Sequence, residues 1–319
     1  MNVKTLKESP DKLNECVSLI EEAFRYDDQY SYKEDFSLLL QEENYANCYF
    51  LEEDGEVVST LFTLPRVLEY KEVDIPVLFL GGISVKDEKR GAGLFRTLLE
   101  TILLFNPNYA FYMLWSDLSQ LYEKFSFYEF GLIEEIDLRD QENNLKEFEP
   151  TDTGVFVDSY LHLKDKYIVP KRRDIDWYNL LFDCRSIKIL EDEGKHCYFV
   201  NKGMDLQGIC HEHHPMDAPP IAGFINWRLT DKPDPKNPLR YMGFMRMGNV
   251  DLIDKLIRYT SGERLQVMGH EEGMVKVLFD GNPYELSEKD FIQGLFGPGR
   301  IEEWRELVPL ILIHGYDSI

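Results

Sequence analysis

The sequence predicts an α/β chain built on mixed sheets and divided into two domains, and three stretches predict it. Val77–Glu100 (VLFLGGISVKDEKRGAGLFRTLLE) has the pattern of a strand, a tight polar loop and a helix. Before it, two helical patterns lead into a meander of strands. After it, the polar run Asp140–Thr153 (DQENNLKEFEPTDT) separates off a second half in which strands and helices mix.

The central stretch carries the chemistry. Val77–Leu80 and Ile83–Val85 are short apolar runs of the kind that make a buried strand. Lys86–Gly93 is polar and ends in Arg90-Gly91-Ala92-Gly93. From Leu94 the apolar spacing becomes helical, with Leu94, Phe95, Leu98, Leu99, Ile102 and Leu103 on one face. Glycine at a helix start lets a ligand approach the backbone, and the free N–H groups there favour an anion such as phosphate. Lys86, Lys89, Arg90 and Arg96 make this stretch basic within a chain of formal net charge −23.

The RGAGL segment, preceded by GGISV and followed by an amphipathic helix, resembles the acyl-CoA signature of the GNAT N-acetyltransferase superfamily. About thirty residues on, Leu114-Trp115-Ser116-Asp117 and Leu121–Phe127 (LYEKFSF) resemble that superfamily's next strand and its Tyr-x-x-Phe-Gly-Phe segment. Phe95 stands in place of the last small residue of the loop motif, and Ser126 in place of the usual glycine. A large apolar residue at the first of these positions is similar to the two-domain enhanced-intracellular-survival acetyltransferases. The resemblance implies a GNAT fold with acetyl-CoA as co-substrate and no metal. It also implies that Ile83, Ser84 and Val85 at the strand end take the pantetheine. Arg90, Gly91, Ala92, Gly93, Leu94 and Phe95 would take the pyrophosphate, and Tyr122 would be the general acid, as a phenol of ordinary pKa.

No acid lies on Leu78–Val85, where such enzymes commonly carry the base. Two carboxylates are candidates: Asp117, which is equally an N-cap for the Tyr122 helix, and, as the resemblance to the two-domain enzymes implies, the terminal carboxylate of Ile319, at the end of a tail that is apolar up to Ile313.

In chain order, Ser9-Pro10 is expected to cap a first helix with Leu13, Cys16, Val17, Ile20, Ala23 and Phe24 on one face. A second helix is expected after Ser31, with Phe36, Leu39 and Leu40 inward. Strands follow at Asn47–Leu51, Val57–Leu64, Val67–Tyr70 and up to Gly82, and beyond the loop and helix at Tyr109–Trp115. Residues 1–140 form the expected GNAT domain, 141–153 a linker, and 154–319 a second α+β domain. That domain is GNAT-like without a phosphate loop; a sterol-carrier-like fold or an unrelated lid are its alternatives. Its expected elements are helix around Trp177–Leu181, strands at Ser186–Leu190, Cys197–Val200, Ile209–Glu212, Ile221–Leu229 and Leu239–Met247, a helix at Asn249–Tyr259, a hairpin of Gln266–Gly269 with Met274–Phe279, and a helix at Asp290–Leu295. Consecutive histidines in His211-Glu212-His213-His214 suggest a surface turn rather than a metal site.

A hydrophobic content of 44% with 29% charged residues is that of a globular chain. The acidic balance argues against nucleic acid, anionic membrane and tRNA-dependent aminoacyl transfer, and suits a cationic substrate. No apolar run approaches a membrane span, the first residues lack the apolar core of a signal peptide, and five cysteines without CxxC spacing fit a reducing cytoplasm. Two functions follow: N-acetyl transfer from acetyl-CoA to a small amine, or an acyl-CoA-binding or interaction protein that keeps the fold without turnover. An oligomer is compatible with either.

Overall fold

A computed structural model describes residues 2–148, 154–184, 186–192 and 195–319. Residues 149–153 of the expected linker therefore lie outside the described residues. The first half begins with β1 (Asn2–Thr5), α1 (Leu13–Phe24) and α2 (Tyr32–Asp35), followed by β2 (Cys48–Glu53), β3 (Glu56–Tyr70) and β4 (Val73–Val85). Then come α3 (Leu94–Phe105), β5 (Phe111–Leu114), α4 (Ser119–Tyr122), β6 (Tyr128–Phe130) and β7 (Ile133–Asp137). The second half contains β8 (Lys146–Glu147), α5 (Gly154–Leu161), β9 (Val169–Pro170), α6 (Asp174–Tyr178), β10 (Lys188–Asp192), β11 (His196–Val200) and β12 (Ile209–His214). It continues with β13 (Ile225–Leu229), β14 (Leu239–Arg240), β15 (Gly243–Met247), α7 (Val250–Ser261), β16 (Leu265–Glu271), β17 (Met274–Phe279), β18 (Asn282–Ser287), α8 (Glu288–Phe296) and α9 (Glu302–Arg305).

The first sheet runs β1-β2-β3-β4-β5-β15-β6, with β9 on β3; the second runs β14-β7-β13-β12-β11-β10-β8; the third is the meander β16-β17-β18. In the first sheet, α1 covers one face through Cys16, Val17 and Ile20, and α3 covers the other through Leu94, Leu98, Leu99 and Ile102. Strand alternation sends Val77 and Phe79 to the α1 side and Leu78 and Leu80 to the α3 side. At roughly 1.5–3 kcal/mol per buried large apolar side chain, these two faces supply the driving force that fixes the register of β4.

Several sequence expectations need correction. Val67–Tyr70 is not a separate strand but the end of β3, which turns directly into β4 with Tyr70 opposite Val73. Pro65 does not interrupt β3, because β2 stops pairing at Phe62 and the missing N–H costs no ladder bond. The helix expected after Ser31 is a single turn, α2. Ser9 makes no side-chain cap, and Pro10–Lys12 is a short 3-10 turn leading into α1. The strand expected at Leu239–Met247 is two strands in different sheets: β14 pairs β7, whereas β15 lies between β5 and β6. β18 was not foreseen. The His211–His214 stretch is not a surface turn. It lies in β12, where His211, Glu212 and His214 are at most 4% exposed.

Pairing crosses residues 141–153 in both directions. β15 enters the first sheet from the second half, and β7 enters the second sheet from the first. Asn143 donates to the Ala222 carbonyl at 2.8 Å, and β8 pairs β10. An engineered protease cut within 141–153 is therefore expected to leave both fragments in one particle on native size exclusion, separating only in denaturant. Separation without denaturant would contradict the exchange.

Candidate active site

β4 and β5 run parallel from Val77–Phe111 to Leu80–Leu114, and their pairing ends there. Just beyond, β4 carries a bulge: Phe62 faces Gly81 while Thr60 faces Ser84, two steps on β3 against three on β4. Gly82, at φ +53°, takes the left-handed conformation that this kink requires. The Lys86 N–H donates to Val58 O on β3, so alternation turns the Ile83 and Val85 N–H groups to the other edge, beyond the paired part of β5. Ser84 is buried and its hydroxyl lies 2.6 Å from Thr60 Oγ1, which leaves only its backbone for a ligand.

The loop after β4 delivers Gly93 as the residue preceding α3, at φ +79°, with Gly91 at φ +82°. Around an imagined Cβ at either glycine there is nothing within 4 Å. The first bond into α3 is Thr97 N–H to Gly93 O at 3.0 Å, so the N–H groups of Leu94–Arg96 at its mouth have no partner within the helix. The residues fit an anionic diphosphate. The loop's cations are all engaged: Lys86 pairs Glu56 at 2.8 Å, Lys89 pairs Glu53, Arg90 pairs Asp87 at 2.7 Å, and Arg96 reaches Glu100 at 3.4 Å while lying over the Phe125 ring. These are surface pairs, and each contributes little and exchanges readily. Phe95, the departure from the loop motif, packs edge-on against Tyr122 and Phe125.

Tyr122 is 5% exposed, on the α3 face, among Phe95, Phe127 and Phe244. Its phenol is not ordinary: burial pushes its pKa up to about 12, against a partial offset from the Ser116 hydroxyl. It remains protonated over the working range, the state a proton donor needs. Asp117 is exposed and does not cap α4; the Leu118 N–H is taken by Ser116 Oγ at 3.1 Å, and the Asp117 charge helps burial to raise the carboxyl of Asp205.

Ile319 lies on the opposite face. An imagined Cβ on Gly81 would meet the Ile319 carboxyl carbon at 2.8 Å and its oxygen at 3.1 Å. Only glycine leaves room for the chain's last residue against β4, at the first position beyond the paired strands. Residues 311–317 leading to it are all buried. Ile311 bridges Ile168, and the Leu312 N–H donates to Ile168 O at 2.9 Å. Asp317 accepts from Arg66 at 3.0 Å and from Arg172 at 2.8 Å. The sequence offered no sign of these two arginines. Nor did it single out Lys202 or Asp35, which are buried near the same tail.

Among the described residues no group of three His, Cys, Asp or Glu side chains converges to hold a metal, and the five cysteines are free and buried. No helix among them is long and apolar enough to cross a membrane. Two recesses, of about 310 and 680 Å³ including solvent-open space, lie away from the loop, where β12 and β13 part; both are lined by His213, Met216 and Trp227.

The profile of the acetyltransferase (GNAT) domain family matches residues 2–130. This part of the chain is a GNAT acetyltransferase domain. The match covers residues 2–130 only, and for that part it supports acyl transfer, with acetyl transfer as the general chemistry. No curated protein matches it in sequence. Similar solved structures extend past the GNAT domain through both sheets. A GCN5-related N-acetyltransferase from Kribbella flavida has a TM-score of 0.55 at 12% identity, covering 89% of this chain and 84% of that one. A probable N-acyltransferase from Enterococcus faecalis V583 has 0.56 at 13%, covering 90% and 84%. Eis1 from Mycobacterium abscessus has 0.54 at 11%, covering 90% and 85%. These likenesses show the fold, and they agree with a mixed-sheet GNAT architecture carried into a second half.

His211 and His314 yield a check on this interior. Burial lowers their pKa values to about 4 and about 3, and His211 Nδ1 and His314 Nε2 have no hydrogen-bond partner. The unfolded histidine protonates near 6.5, so as pH falls the unfolded state gains protons that the folded state refuses. Stability is full above about pH 6.5 and falls toward pH 4 and 3, by roughly 2 kcal/mol per histidine at pH 5. Urea midpoints at pH 7.5 and 5 read this directly; equal midpoints would contradict neutral, buried histidines.

Proposed function

We propose that this chain moves an acetyl group from acetyl-CoA to the primary amine of a small cationic acceptor, by direct transfer in a ternary complex. The observation that carries the reading is the Ile319 carboxyl over Gly81, at the parting of β4 and β5, with Tyr122 on the other face of the same sheet. The diphosphate of coenzyme A would lie on the N–H groups from Arg90 to Phe95, and the pantetheine along the open edge at Ile83–Val85. The acceptor amine enters from the α1 face. Its nitrogen attacks the thioester carbonyl, its proton passes to the Ile319 carboxylate, the C–S bond breaks, and the Tyr122 hydroxyl gives its proton to the leaving sulfur. The formal net charge of −23 favours a cationic acceptor. By chain, the units are 1–140 and 154–319, the first lending β7 to the second sheet and the second lending β9 and β15 to the first.

The alternative, a fold that binds acyl-CoA without turnover, has one observation in its favour: the loop cations are already paired. Two experiments separate the readings. Gly93→Asp sets a carboxylate where the diphosphate would lie, and no protein atom obstructs its Cβ. Gly93→Asn carries the same left-handed strain, about 1–2 kcal/mol, without the charge. Calorimetry is expected to show acetyl-CoA binding lost in the aspartate variant and largely kept in the asparagine one; equal binding in both places the site elsewhere.

Turnover locates the acid and the base. Tyr122→Phe is expected to lower kcat roughly 10²–10⁴-fold with little change in the acetyl-CoA constant. Removing Ile319 withdraws the new terminal carboxylate by up to ~3.5 Å, a displacement that costs about a hundredfold. Asp117→Asn is expected to keep near-normal kcat. Loss in Asp117→Asn without loss on truncation would assign the base to Asp117, and full activity in all three would remove the mechanism.

A further inference from the structure

One lysine from outside the tail reaches into its last turn. Lys202 follows β11, is 4% exposed, and projects its ammonium into the curl made by residues 314–318. Nζ donates to Gly315 O at 2.7 Å, Tyr316 O at 3.3 Å and Ser318 O at 2.5 Å, with Ser318 Oγ at 3.5 Å. The Phe36 ring lies against it, 4.6 Å from its centroid. An ammonium has three hydrogens, and the carbonyls of one short segment use all of them. The same segment closes on itself, since the N–H groups of Asp317 and Ser318 both donate to His314 O. Three carbonyls converging on one point fix the direction in which the chain leaves, and Ser318 O is a single peptide from the Ile319 carboxyl.

We infer that Lys202 is the positioning residue for the chain-terminal carboxylate, holding the curl so that the Ile319 carboxyl stays over Gly81. This rests on the reading of Ile319 as the base. A lysine stem alone would fill the space, and a buried charge is costly unless its hydrogen bonds are complete. Burial lowers the Lys202 pKa to about 8, while the surrounding Cys184, Asp317, Asp35 and Asp205 act to raise it and His211 stands close by on β12. As the ammonium gives up its proton it loses one donor, and the curl loosens. Between about pH 8 and 10.5 an unfolded lysine keeps the proton that the folded one has released, so this group makes global stability rise with pH in that window. The part of any kcat loss there that comes from Lys202 is a loss of positioning, not of folding.

The test uses the 319-residue chain, Lys202→Met, Lys202→Arg, the chain lacking Ile319, and the Lys202→Met chain lacking Ile319. Two readouts are taken: release of Ile319 by carboxypeptidase under native conditions, and kcat with the acetyl-CoA KM across about pH 6.5 to 9.5. Lys202→Met is expected to release Ile319 at least about tenfold faster and to lower kcat roughly 10- to 100-fold, with KM nearly unchanged. Removing Ile319 from Lys202→Met is expected to cost little more, because both changes act through one carboxylate. Lys202→Arg is expected to restore protection and most of kcat, and to abolish the alkaline limb, since a guanidinium keeps its proton. Wild-type protection of Ile319 in Lys202→Met overturns the inference, as does an unchanged alkaline limb in Lys202→Arg; the latter suffices should the methionine variant not fold. Rapid release of Ile319 together with full kcat in the chain lacking it overturns the base reading alone.

Discussion

Two buried guanidinium groups hold the interior together. Arg66, on β3, pairs Asp176 at 2.9 Å and Asp317 at 3.0 Å. Arg172 takes Glu212 of β12 through two parallel bonds of 2.8 and 2.7 Å and Asp317 at 2.8 Å, and lies between the rings of Tyr160, Trp177 and Tyr316. The charged side chains of this network are at most 2% exposed, and the exposed Arg173 supplies Asp176 with a further cation. The network joins the first sheet, the second sheet and the tail. Such a cluster gains little over an apolar core of the same shape, but deleting one member strands a charge at a cost of about 3–5 kcal/mol. Its contribution is therefore to geometry: few other placements of Asp317 satisfy both arginines, and Ile319 follows two residues behind.

How much of this the sequence revealed depends on the range of each interaction. The loop and α3 were legible because both signals are local: glycine at positive φ, and an apolar period that Leu94, Leu98, Leu99 and Ile102 obey to the residue. Tyr122 was legible by motif, but its raised pKa was not, since that comes from Phe95, Phe127 and Phe244 closing over it from separate elements. The His211–His214 stretch was misread because charge and imidazole look solvent-loving until Arg172 is placed beside Glu212, forty residues earlier in the chain. The split of Leu239–Met247 between two sheets left no trace either. Both pieces keep a strand's composition, and only the gap between β5 and β6 determines where the second one goes.

The same device occurs twice. β12 and β13 run parallel, pairing Ile209 with Ile225 and Cys210 with Asn226, and then their pairing stops, as it does for β4 and β5. What differs is the connection. After β4 comes a glycine loop and a twelve-residue helix; after β12, residues 215–224 pass to β13 without a helix. With no helix start there is no bank of free N–H groups to receive a diphosphate, however similar the strands. Binding and architecture are thus separable within one chain, and the second half contributes β15, Lys202, Arg172 and the tail to the first.

The exchange of β15 has a consequence in time. During synthesis β5 and β6 leave the ribosome well before Gly243 exists, and at 5–20 residues per second the intervening ~110 residues take roughly 6–22 s. Throughout that interval the nascent first sheet presents two unsatisfied strand borders, each a template for pairing with a neighbouring polypeptide. Phe111–Leu114, apolar along its whole length, is the more hazardous of the two. That border stays exposed to other chains until its partner strand arrives.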